Sequence, residues 1–145
     1  MFSTLILIVG LSVQGQQVVQ GGPPPPPVPK NAPVTLPDTP QGKRVQAFIN
    51  AFNTGDEQKF LKTQEELMSG ETLARRPVAE RAKMYARMKG DFGTLKVTRA
   101  VADGDKIRVV MPDKDGNEAI FSFELEPKAP YKIKGIGVDI GNVER

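Results

Sequence analysis

Val45, Phe48, Ile49 and Phe52 recur at i, i+3, i+4 and i+7, the spacing that puts apolar side chains on one stripe of an α-helix. Ala47 and Ala51 flank the stripe and let another element approach closely. Gly55 suits the left-handed position just past a helix end, where glycine avoids a Cβ clash. Asp56 follows as the N-cap of a second helix that carries Phe60 and Leu61. The pattern predicts a first helix over Lys43–Thr54 and a second over Glu57–Met68. Ser69-Gly70 interrupts the periodicity, and Pro77 restarts it in the first turn of a third helix, Val78–Lys89. That helix carries Val78, Ala82, Tyr85 and Met88 or Lys89 along one side, and Gly90 and Gly93 close it.

From Thr94 onward the period changes from 3.6 to 2. Leu95, Val97 and Val101 alternate in one strand and Ile107, Val109 and Met111 in a second. Ala119, Phe121, Phe123 and Leu125 form the inward set of a third, and Tyr131 and Ile133 begin a fourth. Asp103-Gly104 and Asp115-Gly116 read as hairpin turns, and Pro127–Pro130 as a longer one. In the fourth strand the phase slips at Gly135, to Ile136, Val138 and Ile140, as a β-bulge would cause. The expected fold is α+β: three N-terminal helices against one face of a curved, four-stranded antiparallel sheet, over residues 42–145.

Ahead of this domain the composition changes. Residues 1–15, with the apolar run Leu5–Val13 and Val13-Gln14-Gly15 at a cleavage position, read as a signal peptide for export to a periplasmic or extracellular location. The run is short for a membrane span, which needs about 20 apolar residues. No Lys or Arg precedes it, so either the α-amino group supplies the charge or the true start lies upstream. Residues 16–41 read as a disordered, proline-rich linker, since nine of the 13 prolines lie between Pro23 and Pro40. In polyproline II form, at roughly 3.1 Å per residue, such a segment is a stiff spacer. The other reading is a ligand for a proline-recognition domain, with Lys30 as a basic flank.

Composition narrows the chemistry. The chain of 145 residues has no Cys, His or Trp and a formal charge of +3. Disulfides, thiolate nucleophiles and histidine-based triads are therefore excluded within it. Aromatics are 6%, most of them at core positions, which speaks against a stacking nucleic-acid surface. No cofactor or metal site is expected. Asp113-Lys114-Asp115-Gly116-Asn117-Glu118 has a faint likeness to a calcium loop, but lies between two strands and reads as a turn.

Ala51-Phe52-Asn53-Thr54-Gly55-Asp56 resembles the first helix–helix turn of nuclear transport factor two-like domains. Glu80-Arg81, Gly93-Thr94-Leu95, Asp115-Gly116 and Pro130-Tyr131-Lys132-Ile133-Lys134-Gly135-Ile136-Gly137 resemble a variant found in exported bacterial proteins, in front of a serine hydrolase of the β-lactamase-related or processing-peptidase kind. The likeness covers about Val45–Ile140. It implies a cone-shaped, cystatin-like fold and the accessory module of such a hydrolase. The chain itself has no Gly-x-Ser-x-Gly or Ser-x-x-Lys nucleophile motif.

The candidate ligand-binding residues are Arg81, Tyr85, Arg99 and Tyr131. Strict alternation from Leu95 and Val97 points Arg99 inward, where it would line the cone and meet an anionic ligand together with Arg81 and the two tyrosine hydroxyls. The plainer reading carries Arg99 to the rim, paired with a carboxylate. Arg75, Arg76, Arg81, Lys83, Arg87 and Lys89 are either a docking patch for an acidic partner or a solvated helix face. The expected function is an exported, non-catalytic binding module that holds a small ligand or a partner protein, such as a separate serine hydrolase, in or at the mouth of the cone. Two other readings stand beside it. One is a cone-pocket isomerase or hydrolase-like enzyme with Asp91 or Glu80 as base. The other is a homodimer through an open sheet face carrying Val110 and Ile120.

Overall fold

Thr39 opens the domain by accepting the backbone N–H of Gly42 at 3.0 Å, and Pro40 takes the first helical position, where its missing N–H costs nothing. The computed structural model describes residues 26–140. The expected signal peptide over residues 1–15 lies outside the described residues, as do 16–25 of the linker and 141–145. Among the described residues the elements run α1 (Pro40–Asn53), α2 (Glu57–Leu67), α3 (Gly70–Arg75), α4 (Val78–Phe92), β1 (Arg99–Asp103), β2 (Lys106–Pro112), β3 (Glu118–Leu125) and β4 (Ile133–Ile140). The sheet is an antiparallel meander in the order β1-β2-β3-β4. The fold is α+β. No described helix is long and apolar enough to cross a membrane.

Gly55 adopts φ 78° after α1, and Asp56 then caps α2 through its carboxylate and the N–H of Lys59, 3.1 Å away. Phe48, Phe52 and Phe60 meet between the two helices in edge-on contacts, with Phe48–Phe60 centroids at 5.2 Å and Phe52–Phe60 at 5.6 Å. Phe48 also reaches the sheet at Phe123, 5.5 Å between centroids, so one ring joins both helices to β3. Inward residues of the sheet, among them Ala100, Ile107, Val109, Met111, Phe121 and Phe123, complete this core.

The structure differs from the sequence reading in four places. Ser69-Gly70 starts a fourth, short helix instead of a loop, because Ser69 Oγ accepts the N–H of Thr72 and caps it. Ser69 N–H and Thr72 Oγ1 also donate to the carbonyls of Ile133 and Lys134, which fixes α3 to the start of β4. On α4 the buried residues are Arg81, Tyr85 and Phe92, while Val78 is 52% exposed at the helix start. The first strand begins only at Arg99. Leu95 and Val97 pack on the core from the preceding loop and do not set the strand's phase, so Ala100 faces the core and Val101 the opposite side. The phase slip in β4 is present: Glu124 pairs with Gly135 and Leu125 with Ile133, leaving Lys134 as the extra residue.

The fourth difference concerns the proline-rich stretch. Within the described residues it lies on the domain. Val28 is fully buried on the outer face of the sheet against Val110 and Ile120, with Ala32 and Val101 around them. The chain then passes the β1 edge, where Ala100 N–H donates to the Pro33 carbonyl at 2.8 Å, and Leu36 packs on the main core. Gly42 lets α1 pack against this strap: a Cβ there would sit 2.0 Å from the Pro37 carbonyl oxygen. Val110 and Ile120, expected on an open face, are covered by the chain's own N-terminal segment.

Candidate functional site

Phe60, Leu61, Gln64 and Leu67 are the buried positions of α2, so the helical repeat carries one amide into an otherwise apolar stripe. Opposite, α4 buries Arg81 and Tyr85 one turn apart, the i,i+4 spacing that places both on one face. Arg81 Nη1 donates to Gln64 Oε1 at 3.4 Å, and its Nε donates to the Arg76 carbonyl at 2.9 Å, tying α4 to the end of α3. The Tyr85 ring packs 5.1 Å from Phe60 and 5.3 Å from Phe52.

The Tyr85 hydroxyl is buried and finds no hydrogen-bond partner among the described residues. Leaving such a group unpaired costs about 1–3 kcal/mol. Burial pushes the phenol above its ordinary pKa, and the nearby carboxylates of Glu57 and Asp56 push in the same direction. Tyr85 is thus held neutral, as a hydrogen-bond donor in an apolar wall. An arginine, a neutral phenol and an amide on two facing helices can bind the acceptor oxygens of a ligand.

Of the four candidate residues, the structure puts Arg81 and Tyr85 on one buried helix face. Arg99 is on the far side of the sheet. It follows the phase set from Ala100, shares the outer face with Val110 and Ile120, and donates to Glu118 at 3.2 Å and to the Val28 carbonyl at 3.3 Å. The expectation that it lines the cone with Arg81 fails because Leu95 and Val97 precede the strand. Tyr131 sits in the β3–β4 connection with φ 56°, a region an aromatic residue rarely adopts, and is half-buried. Arg44 holds that turn by donating to the Pro130 carbonyl at 3.0 Å. Gln64 is the residue that sequence reasoning missed, although a polar side chain four residues after Phe60 and three after Leu61 marks it.

The other candidates are distributed over the surface. Glu80 and Asp91 are exposed on α4. The basic stretch is divided: Arg81 is buried, Arg75 pairs with Glu71, and Lys89 donates to the Gly93 carbonyl while lying 5.4 Å from the Phe52 ring centre. Asp113 uses its carboxylate within the hairpin, accepting the N–H groups of Asp115 and Asn117 at 2.9 and 2.8 Å. No protein-family model matches this chain, and no curated protein matches it significantly.

Proposed function

We propose that this chain is an exported, non-catalytic binding module of the nuclear transport factor two-like, cone-shaped kind, which holds a small ligand or the segment of a partner protein against the α2–α4 seam. The observation that carries the reading is the buried Tyr85 hydroxyl, which finds no partner among the described residues and belongs to the helix that also buries Arg81. Phenylalanine would fill the same space without the unpaired donor, so a bound acceptor gives the hydroxyl a purpose. The exposure of Glu80 and Asp91 favours binding over catalysis, since neither carboxylate is desolvated beside the seam. Following the resemblance of the Pro130–Gly137 string, the partner class is a separately encoded exported serine hydrolase.

The test compares Tyr85→Phe with the parent protein, both isolated without denaturation. Loss of co-purifying ligand or partner in the variant, with the fold intact by circular dichroism, supports the reading. Higher thermal stability in the variant with the same bound material, or with none in either protein, means that the hydroxyl is an ordinary core orphan and the reading fails.

A further inference from the structure

Three successive carbonyls of the strap, those of Pro26, Pro27 and Val28, accept hydrogen bonds from two guanidinium groups on the outer face of the sheet. Arg108 Nη1 serves Pro26 and Pro27, and Arg99 Nη1 serves Val28. Proline has no N–H, so a proline-rich segment offers its binder almost only acceptors. Guanidinium groups are donors only, with a planar fork that spans neighbouring oxygens, and they match such a backbone. Arg99 is fixed in advance by Glu118, 3.2 Å away.

Between the two arginines lies a socket. Val28, Val110 and Ile120 are each 0% exposed, while Pro26, Pro27, Pro29 and Lys30 stay exposed. One branched aliphatic side chain enters and the prolines around it hold the backbone extended. The Pro33 carbonyl then takes the N–H of Ala100 on β1, an edge strand of the sheet. The seat is separate from the α2–α4 seam, on the opposite side of the sheet.

We infer that this outer face is a recognition site for an extended proline-rich peptide of the Pro-Pro-aliphatic-Pro kind, and that residues 26–33 are its built-in occupant. The strap can lift without unfolding the domain, because the next anchors, Leu36 in the core and Pro37 against Gly42, lie downstream of it. The seat is then open to such a peptide supplied in trans. Tethering gives the resident segment an effective concentration of roughly millimolar, so the closed form competes strongly with an outside peptide.

The experiment uses the full chain carrying Val28→Asp, which removes the plug and leaves the seat intact. A fluorescent peptide with the sequence of residues 24–34 is titrated against it by anisotropy. The expected result is saturable binding at least about tenfold tighter than to the parent chain, about 1.4 kcal/mol. A peptide with aspartate in the valine position does not bind, and adding Arg108→Ala to the opened chain weakens binding about tenfold or more. A folded Val28→Asp chain that ignores the peptide, or binds a scrambled one equally well, overturns the inference. Should that variant not fold, isotope-edited NMR on the parent chain decides. Peptide in excess of that roughly millimolar effective concentration shifts the amides of Ala100, Val110 and Ile120 if the seat exchanges occupants, and the absence of any shift then overturns it.

Discussion

Arg99 and Val28 are joined across 71 positions of sequence by a guanidinium-to-carbonyl bond of 3.3 Å on the outer face of the sheet. The same guanidinium holds Glu118, whose side chain is 44% exposed. A nearly buried charge needs both partners. Glu118→Gln keeps an acceptor and is expected to cost less than about 1 kcal/mol, whereas Glu118→Ala removes it and is expected to cost about 1–3 kcal/mol. Urea denaturation of the two variants checks the order. Arg99→Ala is expected to speed hydrogen exchange at Ala100, whose N–H is bonded to Pro33, more than at Phe121 in the sheet centre.

Asn53 and Leu95 exchange two bonds, Nδ2 to the Leu95 carbonyl at 2.8 Å and Leu95 N–H to Oδ1 at 2.7 Å. The amide thereby imitates a neighbouring strand and ties the end of α1 to the segment leading into β1. Asn53→Ala leaves both main-chain groups half-buried and unpaired, with an expected loss of about 1–3 kcal/mol. Asn53→Asp keeps the acceptor but turns a carboxylate oxygen toward the Leu95 carbonyl, so it does not restore the parent stability. Denaturation midpoints at neutral pH measure both.

Phe60 contacts Phe48, Phe52 and Tyr85. Phe60→Ala is expected to cost about 3–5 kcal/mol, a large part of a typical domain's 5–15 kcal/mol. Phe60→Leu keeps most of the volume and is expected to cost under about 2 kcal/mol, and also to loosen Tyr85, visible in near-ultraviolet circular dichroism.

The helical layer was legible because its cues are local. Phe48 and Phe52 repeat on one stripe, and Gly55-Asp56 signals a stop and a start within two residues. Tertiary relationships were not legible. Nothing in the string Leu95 to Arg99 reveals that Asn53, 42 positions earlier, holds Leu95 outside the strand. Without that contact the alternation is counted from the wrong residue and Arg99 is turned to the wrong face. The strap was hidden for a similar reason. Prolines forbid a helix or a central strand, but they do not prevent docking through carbonyls, and a single valine carries the burial. Residue type marks Arg81 and the helical stripe marks Tyr85, whereas Gln64 requires knowing which face of α2 meets α4.

Tyr85 links the seam to pH. Its folded-state pKa is raised above the ordinary value of 10.0, so the folded chain holds the phenolic proton at pH values where the unfolded chain releases it. Stability is therefore fully present below about pH 10 and falls as the pH rises through the folded-state pKa. The phenolate absorbance of the native protein shows the step, which Tyr85→Phe removes. That variant also loses less stability at alkaline pH. In a Tyr131→Phe background, where Tyr85 is the one tyrosine left, a step at the ordinary tyrosine value contradicts the desolvated seam.

The mass of the parent protein, recorded from its native host under native and then denaturing conditions, tests binding at the seam most directly. The account predicts extra mass in the native spectrum, from a small molecule or a protein chain, that Tyr85→Phe reduces and denaturation releases. It also predicts a polypeptide mass lacking the residues up to about Gly15, as export with cleavage requires. A bare polypeptide mass under native conditions, identical for the parent protein and Tyr85→Phe, contradicts it.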